Sequence, residues 1–322
     1  MKLLIMTRMQ CNENIREVFQ VSGDLKREEE KNSMVYGNGG RLASHIIAIA
    51  IALIVILVIA GGVIINDAVK SQVSGPSNMT GSSADDLFQV STIDALSSSL
   101  YDGVTSVGEI RQHGDFGTGT FEGLDGELIE LDGTVYQAKA DGTVIKADDA
   151  MEIPFAEVKF FRQDLSFDIP GGKNMSDSEQ DLGSHLPSKN LIYAIKARGT
   201  FPDITVRAIP KQEKPYPLLA DASRQESILH LKNSTGTLVG FYFPASFSGV
   251  NVPGYHIHYI SDDRSKGGHV LDFTGPANGL TVSADQVSEI VISLPTTGDF
   301  ISANLSQGAS SGSLTSIETK SG

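Results

Sequence analysis

The chain has 322 residues and a formal net charge of −14 at neutral pH. An acidic protein lacks the basic surface that phosphate binding requires, so the charge excludes a nucleic-acid partner. The single cysteine, Cys11, excludes an internal disulfide and a thiolate-rich zinc site, which leaves imidazole and carboxylate groups as metal ligands.

The first 85 residues are predicted to lie outside the folded body. Residues 1–43 form a polar tail, and residues 44–66 contain the uncharged run IIAIAIALIVILVIAGGVII. A run of about 20 apolar residues is long enough to cross a bilayer as a helix, so we expect a single transmembrane anchor. A cleaved signal peptide, with translation starting at Met34, and a buried core helix are the alternatives. Residues 67–85 are rich in Ser and Gly, which is typical of a flexible linker.

The orientation of the anchor depends mainly on Arg41, which precedes the apolar run. Positive residues favour the cytoplasmic side, so the N-terminus is expected inside and the large body outside the cytoplasm. The acidic run at residues 28–30 weakens this charge bias, and a cytoplasmic body remains the alternative.

From residue 86 onward the sequence predicts mainly strands. Ser91–Tyr101 is predicted to be a helix capped by Ser91 or Thr92. Three Asp-Gly pairs, at residues 125–126, 132–133 and 141–142, predict hairpins. The further predicted strands are Glu157–Phe161, Leu191–Arg198, Ile204–Ile209, Leu238–Phe243, Tyr255–Ile260, His269–Phe273 and Gln286–Leu294, with a turn at Ser234–Gly236.

These patterns predict an α+β protein with two β-sheet-rich domains and a few helices, preceded by the transmembrane helix. The expected boundary lies at the proline-rich stretch after residue 210, which gives an N-terminal half at residues 86–210 and a metal-binding half at residues 211–322. The metal site is expected near the junction of these halves. Exposed sheet edges in such a protein are compatible with a homodimer.

Three of the seven histidines lie close together in the sequence, at His256, His258 and His269. In a strand, residues i and i+2 point to the same face, so His256 and His258 project together. The polar segment Ser261–Gly268 has the composition of a hairpin turn, and pairing across it places His269 opposite His258 or one step away. Three converging imidazoles are a ligand set for Zn²⁺ or another divalent metal.

Long segments of the sequence resemble the α-acetolactate decarboxylase family. They are GDFGTGTFEGLDGELIELDGTVYQ, FPDITVRAIPKQEKPYPLL and GFYFPASFSGVNVPGYHIHYISDDRSKGGHVLDF, in the family's order. The resemblance extends from about residue 86 to the C-terminus. Residues 1–85 are not part of it, and family members are typically soluble.

The resemblance implies roles for residues that spacing alone does not assign. In the family, three histidines matching His256, His258 and His269 hold a zinc ion. Glutamates matching Glu127 and, in the C-terminal tail, Glu318 approach that metal. The match at Glu318 is loose because the Ser/Gly-rich tail has no fixed register.

The family also places an arginine in the active site and a threonine beside the substrate, which match Arg207 and Thr120. A guanidinium group can hold a carboxylate through paired hydrogen bonds.

The resemblance therefore implies metal-dependent decarboxylation of 2-acetolactate, a small molecule, to acetoin and carbon dioxide. The metal would chelate the hydroxyl and ketone of the substrate and stabilise an enediolate before stereospecific protonation. Glu127, Glu318, Arg207 and water bound to the metal are the candidates for positioning or relaying the proton, and the sequence does not choose among them.

Two alternatives remain at this point. The segment Gly254–His258 is similar to the first motif of a cupin, although the expected glutamate does not follow it. The chain could instead be a membrane-tethered binding or adhesion module whose histidines only stabilise a hairpin. Production of acetoin from acetolactate would distinguish the decarboxylase from both.

Overall fold

A computed structural model describes residues 86–296 and 298–305 of the chain. The chain divides into two compact units, residues 1–80 and 81–322, and all described residues belong to the second. These residues contain the strands β1 (Asp86–Val90), β2 (Thr105–Ser106), β3 (Phe116–Thr120), β4 (Glu127–Leu131), β5 (Thr134–Ala138), β6 (Val144–Lys146), β7 (Glu152–Ile153), β8 (Phe155–Lys159), β9 (Leu165–Ile169), β10 (Ile192–Ala208), β11 (Ser227–Phe243), β12 (Gly254–Ser261), β13 (Gly267–Thr274), β14 (Leu280–Val287) and β15 (Glu289–Ser293).

The helices of the described part are short. They are α1 (Ile93–Ser97), α2 (Val107–Ile110), α3 (Met175–His185), α4 (Leu219–Ala222) and α5 (Gly298–Ser302), with 3₁₀ turns at Glu122–Leu124, Ser223–Gln225 and Ala245–Phe247. The side chain of Thr92 caps α1 by accepting a hydrogen bond from the backbone N–H of Ala95. Such a bond satisfies a donor that the first turn of a helix leaves unpaired.

Two large sheets organise the molecule. The first has seven strands in the order β15-β1-β8-β3-β4-β5-β6, and the second has six in the order β11-β12-β13-β10-β14-β9. Strands β2 and β7 form a separate pair. In the six-stranded sheet, β10 pairs with β11 as well as with β13, so β10, β11, β12 and β13 form a closed ring of pairings.

The buried side chains form layers between and beside these sheets. Tyr193, Phe201 and Tyr259 belong to a core within the six-stranded sheet. A second core, including Ile129 and Ile260, joins the six-stranded sheet to the seven-stranded one. A third covers the opposite face of the seven-stranded sheet and includes Val107 and Ile110 of α2. Apolar side chains therefore lie between the two sheets and also on the opposite face of each sheet.

Most of the predicted strands are present. All three Asp-Gly pairs lie in hairpins, which join β3 to β4, β4 to β5 and β5 to β6. The predicted helix at Ser91–Tyr101 is shorter, since α1 ends at Ser97. The mainly β-rich character of the fold is confirmed.

Several local predictions differ from the structure. The strand predicted at Gln286–Leu294 is divided between the end of β14 and β15. The turn predicted at Ser234–Gly236 is wrong, because β11 runs through it and pairs with β10 on both sides. Gly236 instead allows a close approach, since a Cβ atom there would lie 2.5 Å from the Tyr259 ring. The two strands predicted on either side of residue 200 are one strand, β10, and Pro202 within it has no partner in the pairing register.

Both large sheets contain strands from before and after residue 210. Strand β10 precedes residue 210 but lies in the same sheet as β11 to β14, and β15 pairs in parallel with β1 of the other sheet. Among the described residues, no helix is both long and apolar enough to cross a membrane. The predicted tail, anchor and linker at residues 1–85 lie outside the described residues.

Candidate metal centre and active site

The hairpin of β12 and β13 brings the three predicted histidines together. The side chains of His256 and His258 point toward the seven-stranded sheet, because Ile257 and Tyr259 between and beside them pack into the core of the six-stranded sheet. The register pairs His258 directly with His269, one of the two arrangements that the sequence allowed. One ligand atom from each ring lies within 4.8 Å of the others.

A hydrogen bond fixes the tautomer of His258. Its Nδ1 lies 2.8 Å from the carbonyl oxygen of Leu128, which can only accept, so Nδ1 carries the proton and Nε2 carries the lone pair. The side chain is fully buried. Burial lowers the pKa of His258 well below its usual value, and the nearby His256 and Arg207 act in the same direction. His258 is therefore neutral at physiological pH, which is the state that binds a metal.

These residues fit a divalent metal ion. All three imidazoles are buried, and Nε2 of His258 lacks a hydrogen-bond partner in the described structure. A buried nitrogen lone pair without a donor is costly unless it coordinates something. Three histidines with space beside them are typical of a catalytic zinc site, although related divalent ions use the same ligands.

Arg207 is placed beside the histidines by β10. It pairs in register with His269, and the neighbouring Gly268 permits this, because a Cβ atom at Gly268 would lie 2.5 Å from the Arg207 carbonyl oxygen. Its Nη1 donates a 3.0 Å hydrogen bond to Oε1 of Glu127. Its Nε lies 3.4 Å from Oε2 of Glu226. The guanidinium group is thus held in one orientation by carboxyl groups on two sides.

Glu127 is the first residue of β4, in the seven-stranded sheet. Its Oε2 lies 3.6 Å from Nε2 of His258, so its carboxyl group faces both the arginine and the nitrogen that is available to a metal. Glu127 and Arg207 are both buried, with side chains 9% and 4% exposed. Buried charges of this kind are stable only when they are paired.

A cavity of about 40 Å³ adjoins these groups. Its polar lining comes from Thr120, Glu127, Arg207 and His256, and apolar side chains of α1 and α4 form much of the remaining wall. The Thr120 hydroxyl donates a 2.7 Å hydrogen bond to the carbonyl of Gly126. A small polar molecule bound here would contact charged groups on one side and apolar groups on the other.

Six of the seven predicted site residues therefore lie in one place: Thr120, Glu127, Arg207, His256, His258 and His269. The seventh, Glu318, lies outside the described residues. Sequence reasoning missed Glu226, which carries no recognisable motif, and Glu157, which contacts His256. The signal for Glu157 was a charged residue within the apolar strand Phe155–Lys159.

Comparisons with known proteins agree with this geometry. A family model described as alpha-acetolactate decarboxylase matches residues 87–307. The chain is 45% identical over 230 residues to alpha-acetolactate decarboxylase of Methanosarcina mazei, covering 71% of this chain and 79% of that protein. It is 40% identical over 219 residues to the Bacillus subtilis protein of the same name, covering 68% and 85% of the two chains.

Solved structures show the same relationship. The crystal structure of alpha-acetolactate decarboxylase from Bacillus subtilis strain 168 superposes with a TM-score of 0.70 at 38% identity, covering 73% of this chain and all of that one. A Staphylococcus aureus protein of unknown function, described as similar to this enzyme, superposes with a TM-score of 0.68 at 30% identity, covering 72% of this chain and all of that one.

Proposed function

The chain belongs to the alpha-acetolactate decarboxylase family, and from this premise we propose that it converts 2-acetolactate to acetoin and carbon dioxide with a divalent metal held by three histidines. The observation that carries the proposal is the convergence of His256, His258 and His269 beside the buried pair of Arg207 and Glu127. The family match favours this reading over the cupin-like enzyme and the binding module.

Loss of carbon dioxide from a β-keto acid leaves an electron pair that must be stabilised on the ketone oxygen. A divalent metal at the three histidines supplies a Lewis acid for this developing negative charge. The buried surroundings strengthen such an electrostatic effect relative to water. No organic cofactor is required for the reaction.

Arg207 is proposed to bind the substrate carboxylate. It lines the cavity, and a planar guanidinium group recognises a carboxylate through charge-assisted hydrogen bonds. The contacts with Glu127 and Glu226 fix its orientation before the substrate arrives. Preorganisation of this kind reduces the free energy that is spent on ordering the site during the reaction.

The product also needs a proton on the carbon atom that lost carbon dioxide. Among the described residues, Glu127 is the carboxyl group that lines the cavity and contacts Arg207. We assign Glu127 the relay of a proton from water to this carbon atom, since its carboxylate must take up a proton before it can donate one. Glu318, in the tail, is proposed as a further ligand or catalytic group, and Thr120 as a contact of the substrate, both from the family resemblance.

The proposal is tested with full-length protein in detergent, incubated with 2-acetolactate while acetoin and carbon dioxide are measured. We expect turnover that is lost on dialysis against a chelator and recovered with Zn²⁺ or another divalent ion. His256→Ala should lose bound metal and activity together, whereas His185→Ala, at the exposed end of α3, should retain both. Full activity in metal-free protein would contradict the metal mechanism.

The remaining features of the proposal concern the whole protein. The apolar run in residues 44–66 supports attachment to a membrane by one helix, and Arg41 supports a catalytic unit outside the cytoplasm. Residues 67–85 would then act as the linker to the catalytic unit. The division into halves at residue 210 remains a prediction.

A homodimer is proposed through sheet edges, because β6 and β9 end the two sheets and Ile145 on β6 is 44% exposed. Light scattering of the purified protein would show twice the monomer mass.

A further inference from the structure

Glu157 has a buried carboxyl group that lies next to His256, one of the three histidines. Its side chain is fully buried on β8, and its Oε1 lies 3.4 Å from Nδ1 of His256. It belongs to the seven-stranded sheet, whereas His256 belongs to the six-stranded sheet. The reaction described above gives Glu157 no role, yet a buried carboxyl group is costly to keep at such a position.

Polar neighbours hold both carboxyl oxygens of Glu157. The Thr118 hydroxyl donates a 2.6 Å hydrogen bond to Oε1, and the Asn251 amide donates a 3.4 Å hydrogen bond to Oε2. The same amide nitrogen donates to Oε1 of Gln89, at 2.9 Å. The Gln89 amide in turn donates to the carbonyl of Val250, at 2.8 Å. Since each of these groups is itself fixed, the carboxyl group has little freedom to move.

Glu157 contacts a member of the histidine cluster without belonging to that cluster. In the described part of the chain, the cluster of converging ligand atoms contains the three histidines and not Glu157. The Glu157 carboxyl group instead approaches a ring nitrogen of one of these ligands. A histidine that ligates a metal through one nitrogen commonly donates its other N–H to a carboxylate or carbonyl, which fixes the ring and its tautomer.

We propose that Glu157 is the positioning residue for His256: it accepts the Nδ1 proton, fixes the orientation of the ring and leaves Nε2 to ligate the metal. The inference depends on the metal centre proposed above. His258 has a parallel arrangement, in which its Nδ1 donates to the Leu128 carbonyl. Each of these histidines of β12 would then be oriented by a group from the seven-stranded sheet.

The test measures metal affinity rather than turnover. Glu157→Gln in the full-length protein removes the charge that stabilises the Nδ1 proton but keeps the size of the side chain. Loss of such a partner typically weakens metal binding by about 10- to 100-fold, and we expect a loss in this range for Zn²⁺ in competition with a chromophoric chelator. The visible spectrum of bound Co²⁺ should also change, because the His256 ring is no longer held in one orientation.

Glu130→Gln is the matched control. Glu130 is equally buried and lies in the same sheet on β4, but it is on the opposite face from the histidines, so its replacement should leave Zn²⁺ affinity and the Co²⁺ spectrum unchanged. Glu157→Asp keeps the charge and should recover part of the affinity that Glu157→Gln loses.

The outcomes separate this inference from the proposed function. Wild-type protein that binds no divalent metal would overturn the metal centre itself. Wild-type affinity and an unchanged Co²⁺ spectrum in Glu157→Gln would overturn the positioning role alone. If Glu157→Gln does not fold, Thr118→Val removes the donor to Oε1 instead, and it should weaken metal binding by a smaller factor. Wild-type affinity in that variant would also overturn the inference.

Discussion

Arg207 lies between two carboxyl groups, and its planar side chain is suited to both. Arg207→Lys keeps the positive charge but loses the planar set of N–H donors that the guanidinium group provides. With a hydrogen bond to a charged group worth about 1.5–3 kcal/mol, we expect kcat/KM for acetolactate to fall about 10- to 100-fold. Steady-state kinetics would measure this loss. Arg198→Lys, at an exposed ion pair with Asp262, is the control and should behave as wild type.

Glu130 predicts how stability depends on pH. Burial is the main cause that raises its pKa to about 8, the charge of Asp115 adds to the effect and that of Arg111 opposes it. Between the usual glutamate pKa of 4.5 and the raised pKa of about 8, the folded protein holds a proton that the unfolded chain releases. The free energy of unfolding therefore falls as pH rises through this window, by about 1.4 kcal/mol per pH unit from this group.

Glu130→Gln should remove this contribution. Below pH 4.5 the group is protonated in both states and adds no slope, and above pH 8 the loss is complete. Denaturant unfolding of wild type and Glu130→Gln at several pH values gives the free energy of unfolding of each. Plotted against pH, the two free energies should diverge as pH rises. Curves that stay parallel from pH 5 to 8 would contradict the raised pKa.

Strands β8 and β14 are joined by a buried ion pair. Lys159 of β8, in the seven-stranded sheet, contacts Asp285 of β14, in the six-stranded sheet, and both side chains are almost fully buried. The backbone N–H of Arg162 also donates to this carboxylate, at 2.6 Å. The pair therefore links the two sheets.

Lys159→Met would leave the Asp285 carboxylate buried without its cation. Removing one partner of a buried pair typically costs about 3–5 kcal/mol, and we expect a loss of this size in the free energy of unfolding. The double variant Lys159→Met, Asp285→Leu should recover most of it, because no buried charge remains. Denaturant titration at fixed metal content measures both, and equal stability of wild type and the single variant would contradict the prediction.

The elements could be predicted where the chain signals them locally. The Asp-Gly turns and the alternation around His256 and His258 depend on residues adjacent in sequence, so the hairpins follow directly. The turn expected at Ser234–Gly236 failed because the glycine makes room for Tyr259, a contact distant in sequence. The same reason explains why the sequence did not predict all of the site. Glu157 contacts His256 only because two different sheets pack together, and no sequence motif indicates that packing.

For the whole molecule, the proposed membrane anchor predicts where the catalytic unit lies in the cell. If residues 44–66 anchor the chain with the C-terminal unit outside, protease added to intact cells should remove the acetoin-forming activity. The same treatment of cells expressing a chain without residues 1–66 should leave the internal activity intact. Complete protection of the full-length protein would contradict the proposed orientation.

The ligand-bearing hairpin and the groups that orient it come from different sheets. A slight separation of these two layers would therefore extinguish turnover while leaving nearly all strand pairing in place. During heating or denaturant treatment, catalysis should disappear before circular dichroism reports any melting. Enzyme activity would then report the separation of the two sheets earlier than any signal from secondary structure.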